Sequence, residues 1–173
     1  KARVDGELAD NLKLTATALY GDYDKIYINA FANGAATGPT GTVALDAYSD
    51  PTTRQNFIAQ ANLIWDVATG GVDHKILFGL EYGSQQTANQ RLGRVFTPGN
   101  VLSLAAPVFP AISFTAPTRN TKSDVRFVST YAQDQISFGA NVDLVVGLRY
   151  DRFDIVGTDR QHPNPDRPFA RAD

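Results

Sequence analysis

Apolar and polar residues alternate along several stretches of this chain, over more residues than a strand in water normally spans. In residues 12–20 the even positions are Leu12, Leu14, Ala16, Ala18 and Tyr20, and the odd ones are Lys13, Thr15, Thr17 and Leu19. A period of two sends these sets to opposite faces of a strand. The pattern runs on through Tyr23, Ile26, Tyr27 and Ile28. Residues 54–67 repeat it, with Phe57, Ala59, Ala61, Leu63, Trp65 and Val67 against Asn56, Gln60, Asn62 and Asp66. In residues 74–87, Ile76, Phe78, Leu80 and Tyr82 oppose Lys75, Leu77, Gly79, Glu81 and Gly83. In residues 124–138, Tyr131, Gln133 and Gln135 oppose Ala132, Asp134, Ile136 and Phe138, a less clear division. In residues 143–156, Leu144, Val146, Leu148 and Tyr150 oppose Val145, Gly147, Arg149 and Asp151, and Arg149 with Asp151 is an expected ion pair on the wet side.

The connections alternate too. Short turns are expected at Asp10-Asn11, at Gly70-Gly71 and near Gly139, where Gly and Asn supply the positive φ of tight hairpins. Long loops are expected over residues 29–53, 88–123 and from 157 onward. Short turns on one side and long loops on the other describe an outer-membrane barrel. Trp65 near the Gly70-Gly71 turn, with Tyr20, Tyr23, Tyr27 and Tyr82 toward the other end, fits two interfacial belts.

Composition narrows the choice. No apolar run approaches the roughly 20 residues of a membrane helix. A mean hydropathy of −0.23 with 43% hydrophobic residues is too polar for a helical membrane protein but suits a barrel with a wet interior. If the chain enters a bilayer, it must do so as part of a closed barrel, the remaining way to pair every backbone polar group. The net charge of −2 gives no nucleic-acid footprint. Cys is absent, which excludes disulfides, thiolate metal sites and cysteine nucleophiles; Met is absent as well, which favours a β core over a helical one. A soluble β-sandwich remains open at this point, since aromatics on alternating strands also suit its core.

Two segments carry a resemblance. Tyr131-Ala132-Gln133-Asp134-Gln135-Ile136, followed by Gly147-Leu148-Arg149-Tyr150-Asp151-Arg152-Phe153, resembles paired barrel strands of TonB-dependent siderophore receptors. The segment from Thr69-Gly70-Gly71 through His74, Gly79, Glu81 and Tyr82 looks like a hairpin of the same family, as does Leu19-Tyr20-Gly21-Asp22-Tyr23-Asp24-Lys25. Together, in order, they cover every expected strand and none of the long loops. The resemblance implies an all-β antiparallel meander of about five long strands within a transmembrane barrel of about 22. It implies that residues 1–173 are a partial barrel, without the plug domain and the other strands, leaving two open sheet edges. It also implies a place in the bacterial outer membrane, contact with outer-membrane lipid, a ferric siderophore as ligand, and TonB reached through the missing N-terminal part. A passive channel, or a receptor for another nutrient, shares the barrel features.

No enzyme constellation stands out, and no cofactor is expected. His74 and His162 are the only histidines, and a lone His is more often structural than a metal ligand, so no metal site is expected. Asp22 with Asp24 and Asp151 with Asp154 are spaced like carboxylate pairs but read as strand-end charges. The Gly-rich stretch 34–41 lacks the Lys-Ser/Thr of a phosphate loop. Ligand contacts are expected from the second long loop: Arg91, Arg94 and Arg119 for anionic oxygens, and Phe96, Phe109 and Phe114 for flat rings. The apolar run 102–112 in that loop is expected to pack over the mouth or fold inward.

Overall fold

Each alternating stretch forms a strand, and most strands pair with their neighbours in the chain. The computed structural model describes residues 1–38, 41–139 and 141–162, and the backbone of 170–172. The strands are β1 (Ala2–Ala9), β2 (Leu12–Ala32), β3 (Thr42–Thr69), β4 (Val72–Thr97), β5 (Val101–Ser103), β6 (Ala111–Phe138), β7 (Val142–Asp159) and β8 (Ala170–Ala172). They form one antiparallel sheet in the order β1-β2-β3-β4-β6-β7-β8, with β5 added to β3. No helix occurs among the described residues.

The expected long loops are corrected. Residues 29–53 and 88–123 are mostly strand: β3 has 28 residues, β4 26 and β6 28, and β2 reaches Ala32. The β2–β3 ladder runs in one unbroken register from Leu12↔Trp65 to Ala32↔Leu45. At the other end, Gly70 (φ 61°) and Gly71 (φ 83°) close the β3–β4 turn in a left-handed conformation that a side chain would strain. β1 adds a strand ahead of residue 12, through Ala2↔Ala18 to Ala9↔Leu12.

Register puts the alternating residues in rows across the sheet. Leu14, Leu63, Phe78, Ala132 and Leu148 share one row, and Ala16, Ala61, Leu80, Thr130 and Tyr150 the next. This apolar face is bare: Leu80 is 61% exposed, Tyr150 64% and Leu148 79%. A sandwich would lay a second sheet on it, and none lies there among the described residues. A contiguous apolar face of this extent needs a hydrocarbon solvent or a partner.

The buried hydrophobic residues lie instead at the loop end. Val43, Leu45 and Leu102 form a small cluster against which Phe96 packs. There the sheet forks. The β3–β4 ladder ends at Ser49↔Leu92, β4 continues with β6 alone, and β5 takes over the free edge of β3 through Val43↔Leu102. Two register shifts set Arg91–Arg94 of β4 against the longer stretch Phe114–Arg119 of β6, so β6 bulges and bends at that point. Leu45 donates its backbone N–H to the Asn100 carbonyl (2.7 Å), and the Asn100 amide donates back to the Leu45 carbonyl (3.2 Å). The apolar run 102–112 therefore divides: Leu102 is buried, while Val108 and Phe109 stay exposed.

Candidate ligand-binding face

The other face of the sheet is polar and carries its network in two tiers. The lower tier sits at mid-strand. Gly79 lies opposite Tyr131, and a Cβ on Gly79 would fall within the Tyr131 ring. The missing side chain lets the ring lie flat against β4. Tyr131 then reaches β3, accepting a hydrogen bond from the Gln60 amide (2.7 Å) and donating one to Asn62. Gly83 gives Phe127 the same room. Arg149 stands over the Tyr131 ring, 5.3 Å from its centroid. It donates to Asp151 (2.8 Å), as its place two residues away on the same face leads one to expect, and also to Glu81 across two strands (3.1 Å). Ser129, fully buried, donates to Asp151. Of the motif residues, Gln133 and Gln135 share this polar face with Tyr131, Arg149 and Asp151, whereas Asp134 and Tyr150 project from the apolar one. There Asp134 is within hydrogen-bonding distance of His74 Nδ1 (2.8 Å).

The upper tier lies on the strand extensions toward the loops. Tyr48 on β3 is flanked by Tyr27 and Phe31 of β2, with ring centroids 5.8 and 6.0 Å away. Arg91 of β4 lies over the Tyr48 ring at 4.6 Å and forks onto Asp50, with contacts of 2.8 and 2.6 Å. Arg94 pairs with Asp46 (2.7 Å). The Asp50–Arg91 pair lies just inside the last rung of the β3–β4 ladder, Ser49↔Leu92, and the Asp46–Arg94 pair bridges the fork beyond it. Arg119 on β6 lies directly opposite Arg91 and donates to Asn89 (3.2 Å). Lys25 lies 5.7 Å from the Tyr27 ring centre. Below this cluster a hollow of about 540 Å³ is lined by Tyr23, Asp24, Lys25, Thr52, Arg54, Asn56, Thr87 and Asn89.

Charge on this tier is unbalanced. Lys25, Arg54, Arg91, Arg94 and Arg119 outnumber Asp24, Asp46, Asp50 and Asp159 by one. The hydrogen bonds from Arg91 hold the Asp50 carboxyl below its ordinary range; burial opposes this, and the charges of Arg91, Arg119 and Lys25 add to it. Asp50 in turn raises the Arg91 guanidinium above its usual value. Arg91 and Arg94 are thus committed to carboxylates, while Arg119 and Lys25 offer charge toward open space.

The expected ligand residues separate accordingly. Arg91, Arg94 and Arg119 gather on the extended strands, and Phe114 lies opposite Arg94. Phe96 packs into the small cluster at the tip, and Phe109 stands exposed in the loop beyond β5. Tyr27, Phe31, Tyr48 and Lys25 complete the cluster from segments outside the loop expected to carry it. The aromatic spacing Tyr23, Tyr27, Phe31 was a usable signal for the β2 members. Among the described residues no group of three His, Cys, Asp or Glu side chains could hold a metal ion. His74 is occupied by Asp134, and His162 stands 3.7 Å from Asp159.

Comparison with known proteins places this geometry. The siderophore receptor PiuA of Acinetobacter baumannii superposes with a TM-score of 0.73 at 20% identity, over 96% of this chain and 26% of that one. The ferric-catecholate import receptor Fiu of E. coli K12 superposes with a TM-score of 0.77 at 20% identity, over 91% of this chain and 23% of that one. FpvA of P. aeruginosa, in complex with a heterologous pyoverdine and iron, gives 0.76 at 11% identity, over 90% and 21%. At these identities the likeness is one of fold, and the chain spans about a quarter of each of these structures. No curated protein matches the sequence. The family model for the TonB dependent receptor-like β-barrel matches residues 1–172, and the chain belongs to that family.

Proposed function

We propose that this chain forms part of the wall and outer mouth of a bacterial outer-membrane receptor that imports ferric siderophores with energy delivered through TonB. In this reading residues 1–173 are a partial barrel. The apolar face meets lipid and the polar face looks into the interior. The plug, the TonB contact and the remaining strands, about 22 in all, belong to sequence outside this chain. The function is transport and not catalysis.

The observation that carries the reading is the upper tier. Arg119 and Lys25 present positive charge beside the rings of Tyr27, Tyr48 and Phe31, on strands that extend beyond the apolar rows. A ferric chelate offers anionic oxygens and flat or conjugated groups, which Arg and aromatic faces hold together. PiuA is a siderophore receptor, Fiu a ferric-catecholate import receptor and FpvA forms a complex with pyoverdine and iron, which supports the same ligand class. Of the residues expected to contact ligand, Arg119, Arg91 and Arg94 belong to this proposal. Phe114 stays beside it, and Phe96 and Phe109 take no part.

The test is uptake of iron-55 by cells whose only copy of the full-length receptor is wild type or carries Tyr48→Ala with Arg119→Ala. Loss of about tenfold or more in ferric siderophore binding, with normal receptor abundance in the outer membrane, is the expected result. Unchanged binding of every ferric siderophore that supports growth would remove the upper tier from the ligand path.

A further inference from the structure

Toward the short turns the apolar face is interrupted once. In its three rows from Phe78 down to His74, His74 and Asp134 are the only ionisable side chains among the described residues. Level with them stand Val67, Ile76, Ile136, Leu144 and Val146. An ionisable group on a surface that meets hydrocarbon is costly, and where one occurs it marks a functional site by default. The two are diagonal neighbours on β4 and β6, joined through His74 Nδ1 and Asp134 Oδ2 at 2.8 Å. Both side chains are partly exposed, 22% and 28%.

That bond satisfies half of each group. In the neutral ring the Nδ1 proton goes to Asp134, which leaves Nε2 as an acceptor. Nε2 has no partner among the described residues. Asp134 Oδ1 is enclosed and has none either. The pair therefore carries one uncompensated negative charge. The neighbouring cation, Lys75, belongs to the opposite face and stands 3.9 Å from Asp66.

We infer that His74 and Asp134 bind the ammonium group of a primary-amine phospholipid in the leaflet on the short-turn side. The inference rests on the membrane reading above and is independent of which ligand is transported. Depth supports it. His74 is three residues from Gly71, Asp134 is five from Gly139, and Trp65 shares the row of Asp134 at the level of an interfacial belt. Charge selects the occupant. The ammonium donates to Nε2 and is held by the carboxylate behind the ring. An anionic headgroup meets the same carboxylate and is repelled. A quaternary ammonium brings charge but has no N–H to donate.

The full-length protein, purified in detergent at pH 8, is titrated with phosphatidylethanolamine, phosphatidylcholine and phosphatidylglycerol of identical acyl chains, and bound lipid is read by native mass spectrometry. Phosphatidylethanolamine is expected to be retained about tenfold over the other two, the worth of one charge-assisted hydrogen bond. In His74→Leu with Asp134→Leu that preference should fall to about even, while the heat-dependent gel shift of a folded barrel persists, since leucine suits hydrocarbon. Should the double variant lose the shift, Asp134→Asn alone is measured; it keeps a bond to the ring without the charge and is expected to lower the preference about threefold. An undiminished preference in either folded variant overturns the inference and leaves the pair as a tie between strands. Equal retention of the three lipids by the wild type also overturns it. Wild-type protein that retains no lipid of any class overturns the membrane reading together with it.

Discussion

Small side chains decide where large ones can lie. Gly79 exists as a clearance for the Tyr131 ring, and through that ring it sets the bonds to Gln60 and Asn62. Gly79→Val should displace the ring and cost about 1–3 kcal/mol by overpacking, read as a lower urea midpoint for the full-length receptor in lipid. Tyr131→Ala in the same background should recover part of that loss, because the clash then has no partner. The Asp50–Arg91 pair makes a different prediction. A carboxyl held below its unfolded value, about 3.9 for Asp, contributes stability above that value and loses it as pH falls through the lower folded value. The upper tier should thus keep the same hydrogen-exchange protection from pH 8 to pH 5 and loosen only below about pH 4. Loosening near pH 6 would show that another group controls the fork.

Strands record their solvent. In the proposed barrel, each strand between the aromatic rows meets hydrocarbon on one side and water on the other, which imposes a period of two that can be read directly on β2, β3, β4 and β7. The lower tier was legible for that reason: Arg149 and Asp151 fall on one face by spacing alone. Glu81 was not assigned to them, because only the register of β4, β6 and β7 brings it there. Beyond the aromatic rows both faces meet water and the contrast fades. Val43, Leu45 and Ala47 still alternate with Asp46 and Asp50, but Pro51 and the Gly-rich stretch before Thr42 interrupt the pattern. In β6 the extra residues between Phe114 and Arg119, opposite Arg91–Arg94, break the period outright. Pairing there depends on backbone hydrogen bonds, which every sequence except Pro can make. A lipid-facing charge measures the boundary. Leu80→Arg should destabilise the receptor by about 2–4 kcal/mol if it sits near the bilayer midplane, whereas Thr53→Arg, on the same face higher up, should cost little. Equal costs for the two would place the hydrocarbon elsewhere.

At the scale of the molecule, few hydrophobic side chains are buried among the described residues, and stability must come from surroundings that cover the apolar face. Expressed alone in aqueous buffer it should form polydisperse aggregates through that face and the strand edges at β1 and β8. Sedimentation velocity checks this; a monodisperse monomer with cooperative unfolding would contradict the single-layer sheet.

The unbroken β2–β3 register has a historical consequence. Adding or losing one residue between Leu12 and Ala32 would turn every following side chain to the wrong surface, so length can drift only where a ladder ends or where a bulge absorbs the change. The loop-side ends of the hairpins and the bulged stretch of β6 are such places. Relatives of this chain should therefore differ in length at the crests of their hairpins, while the wall beneath keeps its count.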